Sequence, residues 1–156
     1  MVCGEEFNKG DYHMVVHICM FNSKDEMLIQ QRQQFKEGWP NIWDITVGGS
    51  AIKGDTSQMA AGRELSEELG IKVNIQNIRP HLTINFDNGF DDVYLIQKDV
   101  DIADLTLQYE EVQCVKWASK EEIFSMIDSG RFISYYQSLI QLFFDTKNQY
   151  GCHQTI

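Results

Sequence analysis

The chain has 156 residues, 43% of them hydrophobic and 23% charged, which predicts one globular domain over residues 1–156 with a core at about 12–146. The formal net charge of −10 disfavours binding to a nucleic acid polymer, because that needs clustered Lys and Arg. No apolar run is long enough to cross a bilayer and residues 1–6 lack the pattern of a signal peptide, so we expect a cytoplasmic protein without a membrane partner.

The first third of the chain predicts three strands, which are rich in Val, Ile and aromatic residues. They cover residues 12–21, 26–32 and 42–47. The turn composition of residues 22–25 makes the first two strands a hairpin. The polar residues 33–41 predict a loop, and Gly48 and Gly49 predict a turn after the third strand.

The clearest helix is predicted at residues 56–69, which contain strong helix formers. Its apolar residues repeat at four-residue spacing: Ala61, Leu65 and Leu69. Asp55 or Thr56 can provide the N-cap oxygen. Gly70 follows the last turn, as expected for a helix C-terminus.

The second half of the chain predicts further strands and then helices. Strand character occurs at residues 71–84, 93–97 and 112–117. An acidic connection is expected at residues 99–109. Helices are predicted at residues 119–130, where Ser119 and Glu122 form a capping-box pattern, and at residues 135–146. This order predicts an α+β or α/β fold, a mixed β-sheet flanked by helices.

Three glutamates lie close together on the predicted helix. At about 100° per residue, Glu64, Glu67 and Glu68 fall within an arc of roughly 100°, at one edge of the apolar stripe. Like charges at these spacings repel one another, so something should offset the repulsion. A divalent cation such as Mg²⁺ or Mn²⁺ would do so, since both accept carboxylate oxygens.

A solvated acidic surface is the alternative explanation of such a cluster. The residues around it favour a site, because they form a long spaced motif. The motif is Gly49-x5-Asp55-x7-Arg63-Glu64-Leu65-Ser66-Glu67-Glu68-Leu69-Gly70-Ile71. It resembles the Nudix box, G-x5-E-x7-R-E-U-x-E-E-x-G-U with U aliphatic, and only Asp55 departs from that pattern. The resemblance implies a Nudix-type α/β/α sandwich.

The resemblance also implies a magnesium-dependent pyrophosphohydrolase, with manganese as a substitute. Its small-molecule substrate would be a nucleoside diphosphate linked to another group, attacked at phosphorus by metal-activated water. Glu64, Glu67 and Glu68 are the implied metal ligands, and one of them can be the base for water. Gly48 would offer a backbone carbonyl to the metal, and Gly49 would lie against the substrate.

Arg63 and Asp55 have supporting roles under the same resemblance. The family residue at the position of Asp55 is Glu, which usually braces the loop and the helix through the box arginine, here Arg63. Asp55 keeps the charge but is one methylene shorter, so we expect some loss of support and no loss of chemistry. Arg63 is expected to orient the carboxylates within the catalytic group.

The loop before the glycines supplies candidate substrate-binding residues. Arg32 and Lys36 could hold the far phosphate, Arg32 by its fork and Lys36 as a point charge. Their alternative is a role in surface solubility. Trp39 could stack on a base or sugar, whereas Trp43 is expected to be core.

A carboxylate from outside the helix often completes such a site, and several acidic residues precede strands. The candidates are Glu110, Glu111, Asp91 and Asp92. We favour Glu111, with Glu110 as the nearest alternative, although acidic residues before a strand more often belong to a solvated loop than to a metal site. His13 and His17 are four apart, but they lie in a predicted strand, where that spacing does not form a metal site. The four cysteines lack C-x-x-C spacing, so we expect reduced thiols.

Two other functions remain open from the sequence. The segment at residues 30–44 also resembles the isopentenyl-diphosphate isomerase branch, in which a Cys-Gly-His turn carries the catalytic cysteine and a metal-binding histidine. Here that turn is Gly48-Gly49-Ser50, which favours hydrolysis. The second alternative is a silent nucleotide-binding sensor, which the intact glutamates disfavour. The oligomeric state is open between a monomer and a homodimer.

Overall fold

The computed structural model describes residues 11–154. These residues form seven β-strands, three α-helices and a short 3-10 turn (Ile102–Asp104). The strands are β1 (His13–Phe21), β2 (Met27–Arg32), β3 (Trp43–Asp44), β4 (Val47–Ser50), β5 (Leu82–Phe86), β6 (Gly89–Gln97) and β7 (Val112–Ala118). The helices are α1 (Ser57–Leu69), α2 (Lys120–Asp128) and α3 (Gln137–Thr146).

All seven strands belong to one mixed sheet. β1 runs parallel to β6 along its whole length, and the other pairs are antiparallel. β1 and β2 pair only at Phe21 and Met27, beside the hairpin turn. Further along, β4 takes the place beside β1 and β3 the place beside β2. The sheet is therefore split between these two short strands.

Thr46 lies at the base of this split, between β3 and β4. Its Oγ1 accepts a hydrogen bond from the backbone N–H of Met20 at 2.9 Å and donates to the carbonyl oxygen of Leu28. The buried hydroxyl thus joins β1 to β2 where direct pairing has stopped. This bridge fixes the position from which β4 passes towards α1.

Residues of β1 alternate between the two faces of the sheet, as a period of two requires. Val16, Ile18 and Met20 pack on the side of α1. Cys19 and Phe21 pack on the opposite side, with residues of α2 and α3. The predicted mixed sheet flanked by helices is confirmed.

The helix α1 begins and ends where its sequence predicts. The Oγ1 of Thr56 accepts from the backbone N–H of Met59, which makes Thr56 the N-cap. Gly70 follows in the left-handed conformation, φ 67°, and its N–H bonds to carbonyls of the last turn. Ala61 and Leu65 are fully buried, so one face of the helix is fixed against the sheet.

Three local predictions are wrong. The single strand predicted at residues 42–47 is two short strands, β3 and β4, with Ile45 and Thr46 between them. Residues 71–81 are irregular, and a strand begins only at Leu82. The apolar residues that suggested a strand, Ile71 and Ile75, are buried against the core of α1 instead. Gly48 and Gly49 do not form a turn either, because they lie in β4 and pair with β1.

The remaining general expectations concern cysteines and membranes. Cys19, Cys114 and Cys152 are free thiols, and Cys3 lies outside the described residues. Within residues 11–154, no helix combines the length and the hydropathy needed to span a bilayer.

Candidate active site

Gly49 brings β4 into direct contact with α1 at Glu64. Gly49 pairs with Val16 of β1, and a Cβ added to Gly49 would lie 2.4 Å from Cδ of Glu64. Real Cβ atoms do not approach other atoms so closely, so only glycine fits here with Glu64 in this place. The Glu64 carboxylate therefore rests directly on the backbone of β4.

Glu68 is the most buried of the three helix glutamates, with 6% of its surface exposed. Its Oε2 accepts a hydrogen bond of 3.0 Å from Nε2 of Gln30 on β2. The same nitrogen donates to the carbonyl oxygen of Thr46 at 2.8 Å. Gln30 thus holds the Glu68 carboxylate at the base of the split in the sheet.

The environment of Glu68 disfavours its negative charge. Burial is the main cause, and it raises the pKa of Glu68 to about 8 against the opposing hydrogen bond from Gln30. The carboxylates of Glu64, Glu111 and Asp44 add to the rise. These four acidic groups therefore lie close enough to repel one another.

Glu64 shows the same crowding. Burial and then the charge of Glu67 raise the pKa of Glu64, and Glu111 raises it further, while Arg63 lowers it. Glu67 itself is exposed, at the outer edge of the helix. Glu64 and Glu68 are thus the more buried of the three helix glutamates, whereas Glu67 is exposed to solvent.

Asp55 and Arg63 form the brace of the loop and helix. Nη1 of Arg63 donates to Oδ2 of Asp55 at 2.7 Å, and the same oxygen accepts from the backbone N–H of Ile52 at 2.9 Å. The Ile52 hydrogen bond is the main cause that lowers the pKa of Asp55. The shorter aspartate therefore reaches its arginine, so the expected loss of support is not visible in the contacts.

The second guanidinium nitrogen of Arg63 faces the acidic cluster. Its Nη2 lies 4.0 Å from Oε1 of Glu64, is buried, and has no hydrogen-bond partner among residues 11–154. A buried donor without a partner costs free energy, so a small movement of Glu64 towards Arg63 would be favourable. Arg63 is therefore placed to orient Glu64.

Of the four candidates from outside the helix, Glu111 is the one whose charge acts on the helix glutamates. It is partly buried, and its charge raises the pKa of both Glu64 and Glu68. Its neighbour Glu110 is exposed. The other two candidates are engaged elsewhere: Asp91 pairs with His17 at 3.3 Å, and Asp92 accepts from the Thr83 hydroxyl at 2.6 Å.

The loop residues proposed for substrate binding have partners within the chain. Nζ of Lys36 forms an ion pair of 2.5 Å with Oε2 of Glu111. Arg32 donates through Nε and Nη2 to the carbonyl oxygen of Gly38, at 3.1 and 2.9 Å.

Trp39 is 54% exposed and has the uncommon φ of 53°. Trp43 is partly buried and packs against the core beneath α2 and α3. The ammonium group of Lys116 lies over its ring.

The donor set fits a hard divalent cation. Within residues 11–154, no group of three or more His, Cys, Asp or Glu side chains is arranged so that it could hold a metal ion. A magnesium ion does not need one, because it keeps several waters and binds through one or two carboxylates. The observation that supports the fit is the mutual repulsion of Glu64, Glu68 and Glu111, which a cation between them would relieve.

Sequence reasoning missed Gln30, Thr46 and Asp44. Gln30 follows Leu28 on the face of β2 that meets α1, so a polar residue in a buried alternating position was the available signal. Asp44 accepts from the Tyr135 hydroxyl at 2.7 Å and raises the pKa of Glu68. The contacts of all three residues depend on the split in the sheet, which has no signature in local sequence.

Comparison with known proteins identifies the family. Residues 11–137 match the family model described as the NUDIX domain. The chain is 47% identical over 150 residues to an uncharacterised Nudix hydrolase of Listeria innocua, covering 96% of this chain and 88% of the relative.

More distant similarities agree with this match. The chain is 27% identical over 137 residues to an isopentenyl-diphosphate Delta-isomerase of Pectobacterium atrosepticum, covering 83% of this chain and 75% of the relative. The crystal structure of a Deinococcus radiodurans protein, DR0079, superposes with a TM-score of 0.70 at 22% identity, over 92% of this chain and 88% of the other. This chain belongs to the Nudix hydrolase family, enzymes that act on phosphoric anhydride bonds.

Proposed function

We propose that this enzyme hydrolyses the diphosphate linkage of a nucleoside diphosphate joined to another group, and that it requires Mg²⁺, with Mn²⁺ as a substitute. The observation that carries the proposal is the convergence of Glu64, Glu68 and Glu111 beside the glycine backbone of β4. This place offers several hard oxygen ligands in a partly buried position. Without a cation, such an arrangement is unfavourable, because burial and neighbouring carboxylates disfavour the ionised glutamates.

The roles of the site residues follow from their positions. Glu64, Glu67, Glu68 and Glu111, together with the carbonyl oxygen of Gly48, would hold the metal. The bound metal would supply an acidified water and neutralise charge on the phosphates. One carboxylate accepts the proton of the attacking water, and the P–O bond of the anhydride breaks to leave two phosphate products.

The remaining residues orient these groups. Gln30 donates to Glu68 and fixes the direction of its carboxylate. Arg63, held by Asp55, orients Glu64 in the same way. Residues such as these are commonly conserved in role because metal sites depend on the partners of their ligands.

Substrate contacts are assigned to the loop and to β4. Arg32 and Lys36 would hold the phosphate farther from the metal, Gly49 would allow close approach of the substrate, and Trp39 would contact the group beyond. Lys36 must exchange Glu111 for phosphate in this scheme. That exchange becomes favourable when Glu111 turns to the metal, because the lysine then loses its carboxylate partner.

Two alternatives are kept because particular observations favour them. Similarity to an isopentenyl-diphosphate Delta-isomerase favours a prenyl diphosphate as substrate, although Gly48 and Ser50 occupy the positions of that enzyme's cysteine and histidine. A silent nucleotide sensor would explain a preformed site without turnover. The intact glutamates and their positioning residues favour a working hydrolase over both.

We further propose one Nudix domain over residues 1–156, a cytoplasmic location, and no nucleic acid polymer or membrane as partner. The net charge of −10 supports the exclusion of nucleic acid. A homodimer remains an alternative to the monomer. Sedimentation of the purified chain would decide between them.

The test of function is a substrate panel with Mg²⁺: nucleotide sugars, dinucleoside polyphosphates, nucleoside triphosphates and prenyl diphosphates, with products followed by phosphorus NMR. We expect cleavage of a nucleoside diphosphate derivative that stops on chelation by EDTA. Glu67→Gln and Glu68→Gln should lose the metal-dependent rate, whereas Glu121→Gln, an exposed glutamate on α2, should keep it. Binding of a nucleotide with no turnover of any compound would favour the sensor.

A further inference from the structure

Two aromatic side chains lie exposed at the rim of the candidate site. Phe35 is 51% exposed and Tyr109 is 70% exposed. Their ring centroids are 5.5 Å apart, with 41° between the ring planes. Adjacent exposed aromatic rings offer flat apolar surface of the kind that ligand-binding sites use.

Both rings belong to the two segments that carry the Lys36–Glu111 ion pair. Phe35 precedes Lys36, and Tyr109 lies two residues before Glu111. The backbone N–H of Gln33 donates to the carbonyl oxygen of Glu111 at 3.2 Å, which joins the two loops directly. The two rings are therefore held against each other on joined segments, one of which carries a carboxylate of the acidic cluster.

The loop that carries Tyr109 is anchored on α1. The N–H of Gln108 donates to the carbonyl oxygen of Glu68 at 2.9 Å, and the N–H of Thr106 donates to that of Leu69 at 3.1 Å. Tyr109 thus follows a residue bonded to the backbone of a proposed metal ligand. The distance between the aromatic rim and the acidic cluster is set by these bonds.

We propose that Phe35 and Tyr109 form a stacking platform for the nucleobase of the substrate. This inference rests on the proposed function and names its substrate class, a nucleotide with a purine or pyrimidine base. Aromatic rings bind bases through their faces, with little dependence on which base is present. Lys36, which follows Phe35 in the chain, adds a cation for the attached phosphates.

Leucine substitutions distinguish stacking from general apolar contact. Phe35→Leu and Tyr109→Leu keep apolar surface but remove the flat ring. Each should weaken binding of a nucleotide by about tenfold, within the range of base–aromatic stacking. Phe35→Trp should retain binding or strengthen it, because the indole has a larger face. Phe86→Leu is the matched control, since Phe86 is 41% exposed on β5 at the other edge of the sheet.

Binding should be measured with compounds that contain no anhydride bond. Nucleoside 5′-monophosphates of the four bases are titrated with the full chain and Mg²⁺ by calorimetry, and the base protons are followed by NMR. Stacking predicts an upfield shift of the base protons that disappears in Phe35→Leu and Tyr109→Leu. Isopentenyl monophosphate, which has no ring, should bind more weakly than the nucleotides and should not distinguish the variants.

Several results would overturn the platform. They are wild-type affinity in both leucine variants, loss of binding in Trp39→Leu alone, preference for isopentenyl monophosphate, or no nucleotide binding up to millimolar concentration. Its failure is separate from failure of the proposed function. If the leucine variants hydrolyse a nucleoside diphosphate derivative with full activity, only the platform is refuted. If monophosphates stack on the rings but no diphosphate is hydrolysed, only the hydrolase is refuted.

Discussion

Glu68 and Tyr109 lie close together in the structure, because the backbone N–H of Gln108, the residue before Tyr109, donates to the carbonyl oxygen of Glu68. The surroundings of their side chains nevertheless differ. Glu68 is 6% exposed and is held by an amide from the sheet, whereas Tyr109 is 70% exposed on a loop. Packing in the core holds Glu68 in place, whereas backbone hydrogen bonds between loops hold Tyr109 in place. A site can therefore keep its chemistry in the rigid part of the fold while its rim varies.

The buried region around Glu64 and Glu68 holds several acidic side chains whose ionised forms are disfavoured by burial and by one another. Glu64 raises the pKa of Glu68, Glu111 raises the pKa of both, and Arg63 has a buried nitrogen without a partner among the described residues. The aromatic rings of the rim carry no charge, and Glu111, the cluster carboxylate nearest to them in the chain, is paired with Lys36. The comparison predicts that changes in the buried region alter the rate and changes at the rim alter the choice of substrate.

The largest effect is expected from Glu68→Gln, with opposite signs for activity and stability. Loss of a metal ligand should lower kcat by about a thousandfold, or about 4 kcal/mol of transition-state stabilisation. At pH 7 and above the metal-free variant should nevertheless melt at a higher temperature than the wild type, because folding no longer has to protonate or bury an ionised Glu68. Calorimetry of both proteins in EDTA measures this, and a lower melting temperature would show that Glu68 is structural.

The same group predicts how stability depends on pH without metal. The pKa of Glu68 is about 8 in the folded chain against 4.5 for an ordinary glutamate, so the folded state binds the proton more tightly. The free energy of unfolding contributed by this group therefore falls as the pH rises from about 4.5 to about 8. Glu68→Gln should lack this slope. Equal slopes in both proteins would contradict the buried environment of the carboxylate.

Gly49→Ala should have the next largest effect. The new Cβ would displace Glu64 or β4, and a displacement of about 1 Å can lower the rate about a hundredfold. Gly62→Ala is the control on α1 itself, because its Cβ meets nothing within 4 Å. That change should keep the activity and stabilise the helix by about 1 kcal/mol. Comparable activity in the two variants would separate Gly49 from the site.

Gln30→Met removes the hydrogen bond to Glu68 while keeping the side-chain volume. Changes to the partners of metal ligands typically cost about tenfold or more in metal affinity or activity, and we expect about tenfold in Mn²⁺ affinity measured by electron paramagnetic resonance. Gln113→Met on the exposed side of β7 serves as the control. Unchanged Mn²⁺ affinity in Gln30→Met would mean that the amide does not position Glu68.

Asp55→Glu should have the smallest effect. Asp55 already reaches both Arg63 and Ile52, so restoring the usual family residue adds little. We expect kcat/KM within about twofold of the wild type, or about 0.4 kcal/mol. Asp55→Ala, which frees Arg63, should lose far more. A large gain in Asp55→Glu would show that the shorter side chain does weaken the brace.

The sequence was informative where local pattern decides structure. The helix that carries Glu64 and Glu68, its cap at Thr56 and its end at Gly70 follow from spacing and capping residues. The mixed sheet with flanking helices follows from the order of elements. These features depend on neighbours in the chain, so they can be predicted from it.

The features that were missed depend on distant contacts. Ile71 and Ile75 have the alternation of a strand but are buried as irregular chain, because the end of α1 is held to the segment at Thr106. Gly48 and Gly49 have turn composition but lie in β4, because the split in the sheet leaves them a place beside β1. Gln30 and the aromatic rim acquire meaning only when these contacts are known.

The central claim is that the acidic cluster beside Gly49 holds the catalytic metal. Its most direct test is an anomalous difference map from crystals soaked in Mn²⁺. We expect a peak at about 2.0–2.2 Å from carboxylate oxygens of Glu64 and Glu68, the distance for hard cations of this size. No peak there, or a peak only at another carboxylate such as Asp91, would contradict the account.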